Sequence, residues 1–257
     1  MSTAVQIYPT DQELLEHVSP ALFESAQSAI DQHGSFVIAL TGGSTPEQFY
    51  RYWSTGPWKN RFPWEKTYFF WGDERAVGPD DPESNYRLAE KSLLSKVRVD
   101  RTRVFRMEGE AKDLSAAAAQ YEAKVREVLG GRDLRFDLIL LGLGEDGHVA
   151  SLFPGTKGAS ESEKLVVAHR VDKLDSWRLT FTFPLINRAR SVFFLVTGER
   201  KTEIVAKIFK RHGDFPAHRV QPYGQLTWWL DRAAAADLSK QEIEAFVAGE
   251  GEGAERS

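Results

Sequence analysis

The chain has 257 residues, no cysteine and a formal net charge of −4 at pH 7. The absence of cysteine excludes disulfides, thiolate metal sites and cysteine nucleophiles, and the slightly negative charge excludes a bulk attraction to nucleic acid. Hydrophobic residues make up 42% of the sequence and aromatic residues 12%. That is enough apolar surface to build a packed core, which excludes a wholly disordered chain.

The sequence carries no signal for export or membrane insertion. It opens with MSTAVQIYPTDQELLEH, which lacks the basic start and the apolar core of a signal peptide. No apolar run approaches the roughly 20 residues that a membrane-spanning helix needs. We therefore expect a cytoplasmic protein, either a monomer or a small homo-oligomer, without a membrane or nucleic-acid partner.

Short apolar runs alternate with amphipathic stretches along the chain. The amphipathic stretches predict helices that run from Thr10 or Asp11 to Gly34, open at Pro46, follow Ser84 and span residues 116–129. The apolar runs predict strands at residues 36–40, 68–71, 138–141, 166–167, 179–181, 192–196 and 227–230. This alternation predicts a three-layer αβα, Rossmann-like α/β fold, with a mostly parallel sheet and helices on both faces. We expect a single domain over residues 1–248 and a disordered polar tail over residues 249–257.

In an open parallel sheet, ligands bind beyond the carboxyl ends of the strands, so the loops there are the first candidates for a site. The first such loop is TGGSTP, at residues 41–46. Gly42 and Gly43 allow a tight turn and a close approach of a ligand, and Ser44 offers a hydroxyl. Pro46 suits the first turn of a helix, whose free N–H groups would bind an anion such as phosphate. The alternative is a turn that needs glycine only for its geometry.

The second loop is GDER, at residues 72–75, directly after a predicted strand. Three charged residues in succession are unusual for a plain turn. Asp73 and Arg75 could place a carboxylate and a guanidinium in the crevice. A solvated loop with a local ion pair is the structural alternative.

The third loop is GLGEDGHVASLFP, at residues 142–154. It follows a buried strand and presents Asp146 and His148 two residues apart. Imidazole titrates near neutral pH and can take a proton from water, and Asp146 could orient the ring or set its basicity. We interpret His148 as a candidate general base, although a structural or merely exposed histidine is the alternative.

Two basic residues complete the candidate set. Arg178 begins a predicted strand, and Lys201 lies at a helix start after the strand at residues 192–196. A lysine at a helix start opposes the helix dipole unless an anion pairs with it. Lys201 is therefore a candidate ligand for an anion, with an ordinary solvated lysine as the alternative.

Taken together, these motifs resemble those of the glucosamine-6-phosphate isomerase/6-phosphogluconolactonase family. The matching segments are LTGGSTP, FFWGDERAVGPDDPESNY, FDLILLGLGEDGHVASLFPG, RLTFTFPLINRARSVFFLVTGERK and VQPYGQLTWWLDRAAA, which span residues 40–235 in the family's order. GDER with a downstream SN, and GxGxDGHxASLFP, are specific, whereas GGS alone is not. The resemblance implies the α/β fold shared with glucosamine-6-phosphate deaminase and ribose-5-phosphate isomerase.

Within this family the motifs are most similar to those of the lactonases. That similarity implies hydrolysis of 6-phospho-D-glucono-1,5-lactone to 6-phospho-D-gluconate in the oxidative pentose phosphate pathway, without metal or cofactor. It implies His148 as the general base and Arg75 as a substrate contact. The phosphate ligands that it implies are Gly43, Ser44, Arg178 and Lys201. Either backbone N–H groups of the glycine-rich loop or Arg75 could stabilise the oxyanion.

Three other functions fit the sequence less well. Glucosamine-6-phosphate deaminases share the DGH loop and an acid at Asp73, but they carry a glutamate for sugar ring opening where this chain has Phe153. A sugar-phosphate sensor needs a DNA-binding module, for which we expect no room before the first core strand. A dinucleotide-binding domain needs GxGxxG, which the turn at residues 41–46 lacks.

Overall fold

The structure is a computed structural model that describes residues 2–249. Its strands are β1 (Ser2–Tyr8), β2 (Phe36–Leu40), β3 (Thr67–Trp71), β4 (Asp73–Arg75), β5 (Leu138–Leu141), β6 (Val166–Val171), β7 (Ser176–Phe181), β8 (Ser191–Val196) and β9 (Gln225–Asp231). Its α-helices are α1 (Asp11–His33), α2 (Ser44–Trp53), α3 (Trp58–Arg61), α4 (Asn85–Ala89), α5 (Leu114–Leu129), α6 (Lys157–Ser160), α7 (Phe183–Ile186), α8 (Thr202–Phe209) and α9 (Lys240–Ala248). The tail predicted at residues 249–257 lies outside the described residues, except for Gly249, which follows α9.

Six strands form one sheet, in the order β1-β9-β8-β5-β2-β3, and every neighbouring pair is parallel. Helices cover both of its faces. Val37 and Ala39 of β2 pack into an apolar cluster with α5 and α8. The alternate residues Ile38 and Leu40 pack into a second cluster with α1 and α2. Strands buried on both faces read as continuous apolar runs, which is why the sequence predicted them, and the three-layer α/β fold is confirmed.

The helix boundaries follow the predicted caps. Thr10 accepts a hydrogen bond from the first turn of α1, and Gly34 ends this helix with a φ of 77°. Ser84 caps α4 in the same way, as predicted. Helix α5 begins at Leu114, two residues before the predicted start, because Asp113 is its N-cap.

The structure has a strand before α1 that was not predicted from the sequence. β1 lies at the edge of the main sheet and pairs in parallel with β9 over its full length, from Ser2 to Tyr8. Its side chains are partly or fully exposed, so its apolar residues do not form a continuous run. An edge strand of this kind gives a weaker sequence pattern than a buried one. The core sheet therefore includes the N-terminal segment.

A second, smaller sheet begins at the carboxyl end of β3, where only Gly72 separates β3 from β4. Its order is β4-β7-β6, and both of its pairs are antiparallel. The sequence predicted strands at the positions of β6 and β7 but interpreted GDER, now β4, as a loop, and that interpretation is wrong. Three charged residues do not give an apolar run, and β4 is a strand only because β7 pairs with it. Within residues 2–249, no helix combines the length and the apolar character needed to cross a membrane.

Candidate active site

The candidate site is a cavity of about 550 Å³ at the carboxyl ends of β2, β5 and β8. Chain order reverses between β2 and β5, because β3 continues to one edge of the sheet while β8 and β9 continue toward the other. Open α/β sheets bind ligands at such a switch point. Every residue that the sequence singled out lines this cavity: Gly42, Gly43, Ser44, Asp73, Arg75, Asp146, His148, Arg178 and Lys201.

The N-terminus of α2 opens at the cavity. The helix begins at Ser44 rather than at the predicted Pro46, because Gly43, with a φ of 106°, takes the N-cap position. No side chain caps this helix, and the first N–H groups of a helix have no partner within it. Thr45 Oγ1 lies 2.7 Å from Thr197 Oγ1, which joins the helix start to the end of β8. These N–H groups form a ready anion site.

Asp73 is a buried carboxylate held from two sides. Ser151 Oγ donates to its Oδ2 at 2.7 Å, and Asn85 Nδ2 donates to its Oδ1 at 3.2 Å. A Cβ at Gly42 would overlap the Asn85 amide, so this glycine lets α4 approach the turn after β2. The sequence analysis did not select Asn85 or Ser151, although both lie inside the matching motifs and carry polar groups.

His148 and Asp146 form a hydrogen-bonded pair in the loop after β5. Asp146 Oδ1 accepts from His148 Nδ1 at 2.5 Å and from the His148 backbone N–H at 3.2 Å. This contact assigns the proton of the neutral ring to Nδ1. Nε2 has no hydrogen-bond partner among residues 2–249 and can therefore accept a proton. A Cβ at Gly144 would overlap the imidazole, so the second glycine of GLG allows the ring to pack against the backbone.

The surroundings keep the His148 imidazole neutral. Burial lowers the pKa of His148 to about 4, although Asp73 acts in the opposite direction. The positive charges of Lys201, Arg178 and Arg75 contribute to the lowering of this pKa. An imidazole that is unprotonated at neutral pH can act as a base toward water.

β4 presents its side chains to two different environments, because successive side chains of a strand point to opposite faces. Asp73 and Arg75 line the cavity, whereas Glu74 faces α4. Arg75 also lies directly opposite Arg178 of β7. Burial and the neighbouring Arg75 lower the pKa of Arg178, and like charges at opposed positions destabilise a sheet. A bound anion would relieve this repulsion.

Glu74 has a structural role that the sequence did not indicate. Its carboxylate accepts from the N–H groups of Asn85 and Tyr86, both at 2.8 Å, and from Ser84 Oγ at 3.0 Å. Burial raises the pKa of Glu74, although its hydrogen bonds to backbone N–H groups act in the opposite direction. Glu74 therefore joins β4 to the first turn of α4 and fixes the position of the cavity-facing side chains.

The Glu74→Ala variant is expected to lower the free energy of unfolding by about 2–4 kcal/mol, because several buried donors lose their acceptor together. Urea denaturation followed by circular dichroism measures this change. Glu83→Ala, at a neighbouring exposed acid, is the matched control and is expected to change the free energy by less than about 0.5 kcal/mol. Equal stability of the two variants would contradict the structural role.

Lys201 takes the N-cap position of α8, as the sequence predicted, and lines the cavity from the side of β8. Burial lowers the pKa of Lys201, the charge of Glu145 opposes this shift, and that of Arg200 adds to it. A cation at a helix N-terminus is unfavourable. An anion held between Lys201 and the start of α2 would offset the unfavourable charge of Lys201 at the start of α8. It would also accept from the free N–H groups at the start of α2.

Two further residues that the sequence did not predict contact the histidine–aspartate pair. Phe153 stacks on His148, with ring centroids 4.0 Å apart and an angle of 29° between the rings. Lys173 forms an ion pair with Asp146. Phe153 lies inside the DGH motif, whereas Lys173 lies in the β6–β7 hairpin and carries no motif by which it could have been found.

The cavity thus combines an open helix N-terminus, four cations and a neutral imidazole held by a carboxylate. The protein is thus a doubly wound α/β protein with a site at the switch point of its sheet. The features of this site suit the binding of a small anionic metabolite and the abstraction of a proton from water. In the part of the chain that the structure describes, no group of three or more His, Asp or Glu side chains is arranged to hold a metal ion.

The chain belongs to the family described as glucosamine-6-phosphate isomerases/6-phosphogluconolactonase, whose model matches residues 9–229. It is 39% identical to the 6-phosphogluconolactonase of Synechocystis sp., over 93% of this chain and 99% of that protein. It is 35% identical to the 6-phosphogluconolactonase of Nostoc sp., over 93% of this chain and 100% of that protein.

Solved structures show the same fold. The 6-phosphogluconolactonase of Trypanosoma brucei superposes with a TM-score of 0.79 at 27% identity, covering 92% of this chain and 99% of that one. The enzyme of Thermotoga maritima superposes with a TM-score of 0.77 at 27% identity, covering 89% and 99%. A monomeric glucosamine-6-phosphate deaminase shares the fold at 23% identity and a TM-score of 0.76, covering 91% and 99%.

Proposed function

We propose that this chain is a 6-phosphogluconolactonase, which hydrolyses 6-phospho-D-glucono-1,5-lactone to 6-phospho-D-gluconate in the oxidative pentose phosphate pathway. Its family and the names of its relatives support this function. The observation that carries it is the neutral His148 imidazole, held by Asp146 in a cavity lined by four cations. The proposal therefore combines a base and a phosphate site within one cavity.

The first step is the attack of water on the lactone carbonyl. His148 Nε2 takes a proton from the water as its oxygen bonds to C1, and Asp146 stabilises the imidazolium that forms. A δ-lactone is an activated ester, so an oriented water and a base suffice, and no covalent nucleophile is needed. The reaction as proposed uses neither metal nor cofactor.

The attack places a negative charge on the former carbonyl oxygen. Two groups are proposed for its stabilisation, the backbone N–H groups of the loop after β5 and Arg75. The N–H groups of Gly144, Gly147 and His148 already donate within that loop, to His148 O, Gly144 O and Asp146 Oδ1. Arg75 donates to Glu83 O and keeps further N–H groups for the oxyanion, since a guanidinium has five.

Collapse of the tetrahedral intermediate breaks the bond between C1 and the ring oxygen. The imidazolium of His148 returns its proton to that oxygen, which becomes the C5 hydroxyl, and the carboxylic acid formed at C1 then loses its remaining proton to solvent. The phosphate is held by Lys201, Arg178 and the N-terminus of α2. Anchoring this remote group orients the ring and lowers the barrier to attack.

Phe153 argues against the isomerase and deaminase chemistry of the same family. Those reactions open a sugar ring with a glutamate at the corresponding position, as the resemblance implies. Phe153 is an apolar ring stacked on His148, and it cannot carry a proton. The hydrolysis of a lactone needs no second acid at this position.

The direct test is lactone hydrolysis by the purified chain in the presence of a chelator. Glucose-6-phosphate dehydrogenase generates the substrate in situ, and the spontaneous rate is subtracted. Acceleration that survives the chelator is expected. If there is no acceleration, the proposal fails, and the release of ammonia from glucosamine 6-phosphate becomes the next measurement, followed by direct binding of sugar phosphates without turnover.

The His148 imidazole is expected to titrate well below the ordinary value of 6.5, because burial lowers its pKa to about 4. The base form therefore predominates above about pH 5 and is lost only as the pH falls through the lowered pKa. Two-dimensional NMR of the imidazole nitrogens measures this titration, and the His148→Ala spectrum assigns the resonance. A midpoint at or above pH 6.5 would contradict the expected shift.

A further inference from the structure

We propose that Lys173 is a positioning residue, which holds Asp146 and Phe153 against His148 from the tip of the β6–β7 hairpin. This proposal rests on the proposed function. It adds to the site a residue from an element that is distant in sequence from the loop after β5. Lys173 acts through its two contacts and does not touch the reacting atoms.

The two contacts of Lys173 reach both supports of the catalytic ring. Its Nζ forms an ion pair with Asp146 Oδ2, while the other oxygen of that carboxylate accepts from His148 Nδ1. The same Nζ lies 4.6 Å from the centroid of the Phe153 ring, which stacks on the imidazole. Lys173 thus contacts both Asp146, which bonds the edge of the imidazole, and Phe153, which covers its face.

The hairpin that carries Lys173 is itself fixed. Residues 172–174 form a single 3₁₀ turn, and Asp175 follows in the left-handed region with a φ of 47°. Arg170 forms ion pairs with both Asp172 and Asp175 across this turn. The turn therefore presents Lys173 from a defined backbone position, which a positioning role requires.

The four cations that line the cavity differ in how they are paired. Lys173 forms a salt bridge with a carboxylate. Arg75, Arg178 and Lys201 form none within residues 2–249. Cations without a carboxylate partner are the ones that an anionic substrate can bind without displacing a carboxylate. This difference assigns substrate binding to those three residues and positioning to Lys173.

The Lys173→Met variant tests the assignment, with Lys173→Arg as the conservative variant. Lys173→Met is expected to lower kcat by about tenfold and to change KM by less than about twofold. A tenfold change in rate lies within the range of coupling energies measured between residues in contact. Lys173→Arg is expected to restore most of kcat, because it keeps the charge. The matched control is Lys164→Met, at an exposed lysine just before β6, which is expected to leave both constants unchanged.

A double-mutant cycle separates action through Asp146 from direct action on the substrate. In an Asp146→Asn background, Lys173→Met is expected to have less than about a twofold further effect on kcat, because the group through which it acts is already neutral. An equal loss in both backgrounds would overturn the proposal. A rise in KM with an unchanged kcat would also overturn it, since Lys173 would then be a substrate ligand.

An NMR titration of His148 tests the same contact without substrate, so it remains informative if lactone hydrolysis itself fails. Lys173→Met is expected to raise the pKa of His148, because a positive charge is removed and the Asp146 carboxylate is left to stabilise the imidazolium alone. The other charged groups that act on this ring are Asp73, Arg75, Arg178 and Lys201, and they are the same in both proteins. An unchanged titration, with the fold intact by circular dichroism, would overturn the proposal.

Discussion

The His148→Ala variant is expected to lose about a thousandfold in kcat for lactone hydrolysis, which is the usual contribution of a positioned general base. The loss falls on kcat because the imidazole acts on the attacking water and not on the phosphate. Burial keeps the pKa of His148 low, so the wild-type ring is available as a base throughout the neutral range. Steady-state kinetics with the spontaneous rate subtracted measures the change.

Product binding and a second histidine provide the controls for this experiment. Calorimetry is expected to show that His148→Ala still binds 6-phosphogluconate, because the cations of the cavity are unchanged. His212→Ala, at an exposed histidine after α8, is expected to keep the wild-type kcat. An unchanged turnover of His148→Ala would remove this residue from the proposed mechanism and leave Asp73 as the next candidate base.

The main features of the fold could be predicted from the sequence because the central strands are buried on both faces. β2, β5 and β8 read as continuous apolar runs, and each is followed by a loop with glycine or charge. Since the carboxyl ends of parallel strands lie at one edge of the sheet, the motifs after these strands were expected to meet there. The cavity does bring together Ser44, His148 and Lys201, which follow three different strands.

What could not be predicted depends on pairings between distant segments. The side chains of β1 are at least partly exposed, so the strand lacks a continuous apolar run, and it is a strand because β9 pairs with it. β4 consists of three charged residues and is ordered by β7 on one side and by the Glu74 contacts with α4 on the other. The opposition of Arg75 and Arg178 follows from this register alone. No local pattern encodes such a register.

The contacts of Lys173 are a further case of the same kind. A lysine at a hairpin tip is most simply interpreted from sequence as solvated, and Lys173 is 27 residues from Asp146 along the chain. Its position follows from two separate features, the path of the β6–β7 hairpin and that of the loop after β5. The candidate base His148 and its partner Asp146 could be proposed from a motif, whereas the contacts of Lys173 with Asp146 and Phe153 required three-dimensional structure.

The Lys201→Met and Arg178→Met variants are each expected to raise KM for the phosphorylated lactone by about 10- to 100-fold, because a charge-assisted phosphate contact contributes about 1.5–3 kcal/mol. Lys201 lies at the start of α8 and not on the β4–β7 pair that carries Arg75 and Arg178, so its loss is expected to leave kcat nearly unchanged. Arg178 lies opposite Arg75, so its loss is expected to lower kcat as well. Initial rates over a wide range of substrate concentration separate the two effects.

Arg200→Met is the matched control, because Arg200 is the chain neighbour of Lys201 and its side chain is 88% exposed. It removes the same charge and is expected to leave KM unchanged. Glucono-1,5-lactone, which lacks the phosphate, is the second control: the Lys201→Met variant is expected to hydrolyse it as the wild type does. If neither Lys201→Met nor Arg178→Met changes KM for the phosphorylated substrate, the phosphate binds elsewhere in the cavity. Arg75 and the N-terminus of α2, which also line the cavity, then become the site to test.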